Sequence, residues 1–151
     1  MARLIATFFG VGYCPKGPGT AASVVSLLLW VPLARNVHWI VYGLTWMALC
    51  ALGFWASDRV IQQQHPDKDP QVIVIDEVVG MGVACFLLPA GAIWAVVALV
   101  LFRVFDIWKV GPMAYADQNW VGAKGVMLDD VFAGVAAWIL CWGIYRLVWS
   151  V

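Results

Sequence analysis

The stretch from Val72 to Gly80 reads Val-Ile-Val-Ile-Asp-Glu-Val-Val-Gly, and the apolar run that holds it continues to Leu88. Asp76 and Glu77 stand side by side in that run with only aliphatic neighbours. Any fold that buries the run must give both carboxylates a cation or a basic partner, because an unpaired charge is expensive in a protein core and in a bilayer alike. Asp69-Pro70 reads as a helix start, with Asp suited to cap free N–H groups and Pro pre-set for the first helical position, and Pro89 and Gly91 read as its end. The sequence therefore predicts a helix from Pro70 to Leu88, with the two acids on the order of 10 Å inside its start.

The solvent for such a helix follows from composition. Of the 151 residues, 64% are hydrophobic and 12% charged, and the mean hydropathy is +0.86. Soluble domains hold roughly 45–50% apolar and about 25% charged residues. The chain reads as a single-domain, all-α, polytopic membrane protein spanning residues 1–151. A formal net charge of +0 and the lack of any Lys/Arg-rich run argue against nucleic acid as a partner. Cys14, Cys50, Cys85 and Cys141 form no C-x-x-C pair and read as buried free thiols.

Met1 to Val11 superficially resembles a signal sequence, but Gly10 and Gly12 break the apolar run and no small-x-small cleavage site follows. The next segment, Gly12 to Thr20, is dense in Gly and Pro, with Thr20 placed to cap the helix that comes after it. It reads either as a plain turn or as an anion seat, in which free N–H groups, a helix N-terminus, Lys16 and Thr20 would face a phosphate. Ala21 to Leu33 is a short apolar segment, broken by Pro32, that barely reaches the ~20 residues of a bilayer span. Val37 to Ala56 is a full span, Ser57 to Asp69 a polar loop, Ala92 to Val110 a further helix, Gly111 to Lys124 a second loop, and Gly125 to Ser150 the last helix. About four to five membrane helices result. Trp30, Trp39, Trp55 and Trp149 fall near span ends and suit interfacial anchoring.

These spans put Arg3, Lys16, Arg59, Lys68, Arg103, Lys109 and Lys124 on one side and only Arg35 and Arg146 on the other, so the first side reads as cytoplasmic. Three charged clusters converge there: Asp76-Glu77; Arg103, Asp106 and Lys109 at i, i+3 spacing; and Asp129-Asp130. Five carboxylates in one place would repel unless cations compensated them, and oxygen ligands without Cys or His suit a hard ion, Mg²⁺. An Arg and a Lys beside that ion suit phosphate, the Arg as a planar two-point fork and the Lys as a point charge. Each cluster also has a bland reading: Arg103 with Asp106 as an ion pair, and Asp129-Asp130 as complements of a helix dipole. Asp58, Asp67, Asp69 and Asp117 lie in polar segments and read as solvated, and His38 and His65 match no metal spacing.

Four ordered motifs resemble the phosphatidylglycerophosphatase A family over most of the chain: Gly12-Tyr13 with Pro18-Gly19-Thr20 and Ser23; Ile75 to Gly80; Phe102 to Asp106 with Lys109; and Gly125 to Asp130 with Ala133-Gly134. Gly17, Ala22, Val110-Gly111 and Ala123 depart from the family pattern at turns rather than at charged positions. The resemblance implies Mg²⁺-dependent hydrolysis of phosphatidylglycerophosphate to phosphatidylglycerol and phosphate. It further implies a multi-pass protein of the bacterial cytoplasmic membrane, acting on a phospholipid from the cytoplasmic side. On that reading Asp76, Glu77, Asp129 and Asp130 hold one or two metal ions, Arg103 and Lys109 clamp phosphate with Lys16 and Thr20 as further contacts, and Asp106 orients Arg103 or serves as base.

Two other classes share some of these features. A cation-coupled transporter would carry its acids near the bilayer midplane and use repeated halves, whereas these acids gather at one edge and no repeat exists. A CDP-alcohol phosphotransferase would use Mg²⁺ and carboxylates on a lipid headgroup, but Asp129-Asp130 lacks that family's longer Asp-rich signature.

Overall fold

A computed structural model describes residues 1–63 and 72–149. Seven α-helices occur in that part of the chain: α1 Ala2–Ala6, α2 Pro18–Asn36, α3 Trp39–Gln63, α4 Ile75–Ala84, α5 Ala92–Trp108, α6 Pro112–Asn119 and α7 Ala123–Trp149. No strand occurs among the described residues. Three helices, α2, α3 and α7, are long and apolar enough to cross a membrane. At 1.5 Å per residue, α5 is about 25 Å long and α4 only about 15 Å.

The short helix α4 is the hub. All of its residues but Glu77 and Val83 are buried, and it packs against α2, α3, α5 and α7. Glycine lets α7 approach: a Cβ at Gly80 would meet the Asp130 carbonyl and the Phe102 ring at 2.6 Å, and one at Gly134 would collide with the Gly80 carbonyl. Small residues at a helix crossing serve this purpose inside membranes, where close packing replaces the hydrophobic drive.

Ending a helix in an apolar interior leaves carbonyls without partners. Aromatic donors from the surrounding helices meet them. Tyr42 donates its hydroxyl to the Gly82 carbonyl at 2.6 Å, and Trp138 donates Nε1–H to Phe86 at 2.8 Å. Trp30 and Trp46 add second donors to Val78 and Val79, at 2.7 and 2.9 Å. Trp30 is fully buried and is therefore a core donor, not the interfacial anchor its place near a span end suggested. Trp39, Trp55 and Trp149 are exposed.

Several boundaries differ from expectation. Helix α2 begins at Pro18, with Gly17 in the left-handed region at φ 60°, so Thr20 lies inside the first turn and caps nothing. The same helix runs through Pro32, which sits on its exposed side, and ends at Asn36; the resulting 19 residues are enough for a span. Bilayer helices tolerate an internal Pro where the freed carbonyl can be accommodated locally. Asp58, Arg59 and Gln62 extend α3 rather than forming a loop, and Gln62 donates to Asp58 across one turn at 2.6 Å. Pro112 starts the unexpected helix α6, in keeping with Pro at a first helical position.

The proposed cap Asp69-Pro70 lies outside the described residues, as do Asp67, Lys68, His65 and Ser150. Nearer the acids, Ile73 and Val74 are not helical, and α4 starts only at Ile75. Val74 instead donates its N–H to the Ala6 carbonyl at 2.9 Å, tying the start of α4 to the N-terminal segment. Asp76 and Glu77 consequently occupy a first helical turn rather than a position 10 Å deep.

Candidate active site

Acidic residues favour the first turn of a helix because the free N–H groups and the helix dipole stabilise negative charge there. That local preference places Asp76 and Glu77 at the start of α4. The α4–α7 crossing at Gly80 then brings Asp130 beside them. Asp76, Glu77 and Asp130 each offer a carboxylate oxygen within 4.8 Å of the other two. Asp76 is 8% exposed and Asp130 3%. Asp76 Oδ1 and Glu77 Oε2 are buried and accept no hydrogen bond. Three converging carboxylates with unused oxygens form a donor set that fits a small hard cation such as Mg²⁺.

The end of α5 supplies the opposite charge. Arg103 lies against Asp106, one turn further on, with NH1 to Oδ2 at 2.5 Å, and stands 3.9 Å from Glu77 Oε1. These contacts engage NH1 and leave the buried Nε without an acceptor among the described residues. Lys109 caps α5 in a left-handed conformation at φ 43°, unusual for a side chain with a Cβ. Its ammonium donates to Asp129 at 2.8 Å and to Asp117 of α6 at 2.5 Å. Burial alone would lower the lysine pKa, but the two carboxylates outweigh it and hold the group charged well above the ordinary lysine range.

A cavity of about 420 Å³ joins these groups. Asp76, Glu77, Arg103, Asp106, Lys109, Asp129 and Asp130, all expected site residues, line it. Gly17, Pro18 and Gly19 close one side, and a Cβ at Gly19 would run into the Glu77 carboxylate. Lys16 and Thr20, the expected phosphate contacts, flank this segment with exposed side chains and do not line the cavity. Asp129 stands apart from the other three acids: one oxygen accepts from Lys109 and the other from the Asp130 N–H.

Asp117 corrects the sequence reading. Its side chain is exposed as expected of a solvated acid, but it sits on α6 rather than in a loop, lines the cavity and binds Lys109. The available signal was the eight-residue helix opened by Pro112, whose low hydropathy hides a cavity-facing side. Six carboxylates thus face two cations, an excess that a divalent ion would offset.

Among the described residues the chain is an all-helical bundle with three membrane-length helices, and at one end a cavity sets carboxylates with free oxygens beside an arginine and a lysine, an arrangement suited to a membrane enzyme acting on phosphate. The phosphatidylglycerophosphatase A family model matches residues 4–145, and the chain belongs to that family. It is a phosphatase by this membership. A Bacteroides thetaiotaomicron protein with the provisional name phosphatidylinositol-3-phosphatase is 35% identical over 145 residues, 91% of this chain and 89% of its own length. The phosphatidylglycerophosphatase A of Escherichia coli K12 is 33% identical, over 88% of this chain and 77% of its own. The Haemophilus influenzae protein of the same name is also 33% identical, over 94% of this chain and 87% of its own. No solved structure gives a significant match.

Proposed function

We propose that the protein hydrolyses phosphatidylglycerophosphate to phosphatidylglycerol and inorganic phosphate, with Mg²⁺ as cofactor, at the cytoplasmic face of a bacterial inner membrane. The observation that carries this reading is that one cavity holds unpartnered oxygens on Asp76 and Glu77 beside an Arg103 guanidinium whose Nε has no acceptor among the described residues. Phosphate monoester hydrolysis is among the slowest uncatalysed reactions, so a site must neutralise the phosphoryl charge strongly.

Asp76, Glu77 and Asp130 would hold Mg²⁺, while Asp129, expected from the sequence as a fourth ligand, would instead keep Lys109 in place. Such an ion supplies Lewis-acid charge to the phosphoryl oxygens without moving a proton. Arg103 grips two phosphoryl oxygens with its planar fork, and Lys109 adds a point charge. Asp106 holds the guanidinium and can take the proton of the attacking water. As the new P–O bond forms, the bond from phosphorus to the glycerol oxygen breaks. That oxygen takes up a proton and becomes the free hydroxyl of phosphatidylglycerol. In the bilayer, α5 serves as a fourth crossing, returned to by α4 as a half-length helix, and the acyl chains remain among the apolar helices.

Inorganic phosphate released from radiolabelled phosphatidylglycerophosphate by the detergent-purified protein, with phosphatidylglycerol identified by thin-layer chromatography, tests the reaction. Chelation should abolish release and added Mg²⁺ restore it; full turnover in excess chelator would remove the metal from the mechanism. The name of the Bacteroides relative makes phosphatidylinositol 3-phosphate the comparison substrate. Turnover of that lipid alone would replace the headgroup assignment while keeping the phosphatase class.

A further inference from the structure

Lys109 holds two carboxylates that differ in kind. Asp129 is 7% exposed in its side chain, and its second oxygen accepts the Asp130 N–H, so it is fixed at both ends. Asp117 is 46% exposed and, among the described residues, makes no other hydrogen bond. Releasing a buried carboxylate leaves an uncompensated charge, whereas water readily solvates an exposed one.

A phosphate dianion entering this cavity meets like charge on both sides of the ammonium that should bind it. Repulsion between the dianion and a lysine-bound carboxylate is reduced when that carboxylate leaves, and only the exposed one can leave cheaply. The left-handed backbone at Lys109 and the positive φ of Gly111, two residues later, make the turn that brings Asp117 back over Lys109. An uncommon conformation in a non-glycine residue at a cavity edge is the kind of backbone feature that serves a site.

We propose that Asp117 is a displaceable counter-ion: it positions the Lys109 ammonium in the empty site and gives it up to the phosphoryl oxygens when phosphate binds, while Asp129 keeps hold of it throughout. This rests on the proposed role of Lys109 in binding phosphate. Asp117 is a positioning residue in this scheme, touching Lys109 and not the substrate. Removing its charge should therefore tighten phosphate binding, and only where Lys109 is present. A merely structural role for the α6 contact would weaken phosphate binding or leave it unchanged.

Calorimetry with inorganic phosphate on the full chain in detergent reads this directly and needs no turnover. Wild type, Asp117→Asn, Lys109→Ala and the double variant form a cycle, with Asp117→Ser as a second variant at the same exposed position. Monodispersity is checked by size exclusion. Asp117→Asn should bind phosphate about fivefold more tightly than wild type, and the same change in the Lys109→Ala background should shift affinity by less than about twofold. Unchanged or weaker binding by both Asp117 variants would overturn the proposal. So would equal tightening without Lys109, which would mark a general charge effect, or no phosphate binding by wild type. If the expected cycle appears but wild type cleaves no lipid phosphate, the hydrolytic reading fails and the counter-ion stands; lipid turnover with a flat cycle has the opposite meaning.

Discussion

Asp129 and Asp130 are sequence neighbours, yet the structure separates their environments: Asp130 joins Asp76 and Glu77, while Asp129 pairs with Lys109. Substitutions that remove charge but keep shape should respect that division. Asp76→Asn, Glu77→Gln and Asp130→Asn are each expected to lower turnover at least ~100-fold, roughly 2.7 kcal/mol of transition-state stabilisation, and to raise the Mg²⁺ concentration for half-activity. Asp129→Asn should lower activity without a comparable shift in that midpoint, because the bond it loses is to Lys109. Arg103→Lys should also be severe, since lysine keeps the charge and loses the two-point grip. Equal Mg²⁺ midpoints for parent and all three triad variants would remove those acids as ligands. Seven of the eight charged lining residues were legible because a charged side chain stands out in an apolar run and each has a reason to be paired. Asp117 was not legible. Polar surroundings make a solvated acid and a cavity acid look alike, and only the turn at Lys109 to Gly111 decides between them.

Helix α4 shows what periodicity leaves out. Its sequence predicted a full helix to Leu88, but the helical turns stop at Ala84 and the chain goes on through a turn to Pro89. Leu87 takes a left-handed φ of 49° in that turn, a conformation no composition rule predicts for leucine. Tyr42 on α3 and Trp138 on α7 make the early end tolerable, and Trp30 on α2 adds a donor further back along α4; all three come from positions 40 or more residues away. A distant donor leaves no local trace, so Trp30 looked like an interfacial residue. Tyr42→Phe isolates one such bond, keeping the ring and removing the hydroxyl that meets Gly82. Leaving a buried carbonyl without its donor costs about 1–3 kcal/mol. The expected outcome is a lower midpoint of thermal unfolding in detergent, with turnover per folded molecule close to the parent because the site is at the other end of α4. An unchanged midpoint would show that the hydroxyl bond contributes nothing to holding the helix.

Across the molecule, the starts of α2, α4 and α7 and the end of α5 all meet at the cavity, so each of these four helices presents a terminus there. The sequence carried this convergence in its charge distribution: apolar spans leave charges only at their ends, and the ends with most Lys and Arg are those that close on the cavity. It did not carry which ends touch, because helix-to-helix contacts such as Gly80 against Asp130 depend on small residues whose role appears only when two helices cross. The same charge distribution argues for orientation. Retention of basic loops on the cytoplasmic side sets topology for short loops, and Arg3, Lys16, Arg59, Lys109 and Lys124 all belong to the cavity end, against Arg35 and Arg146 at the other. Gln63, at the exposed end of α3, and Gln118, exposed on α6, sample that end at two separate segments. Single cysteines at these positions in a cysteine-free background should resist a membrane-impermeant maleimide in intact cells and react once the inner membrane is opened. A cysteine at exposed Asn36, the last residue of α2, should show the opposite pattern because α2 carries the chain to the far end. Labelling of Gln63 or Gln118 positions in intact cells would reverse the orientation and turn the cavity away from the cytoplasm. Protection of all three would contradict α2 as a crossing, since its two ends would then share one side.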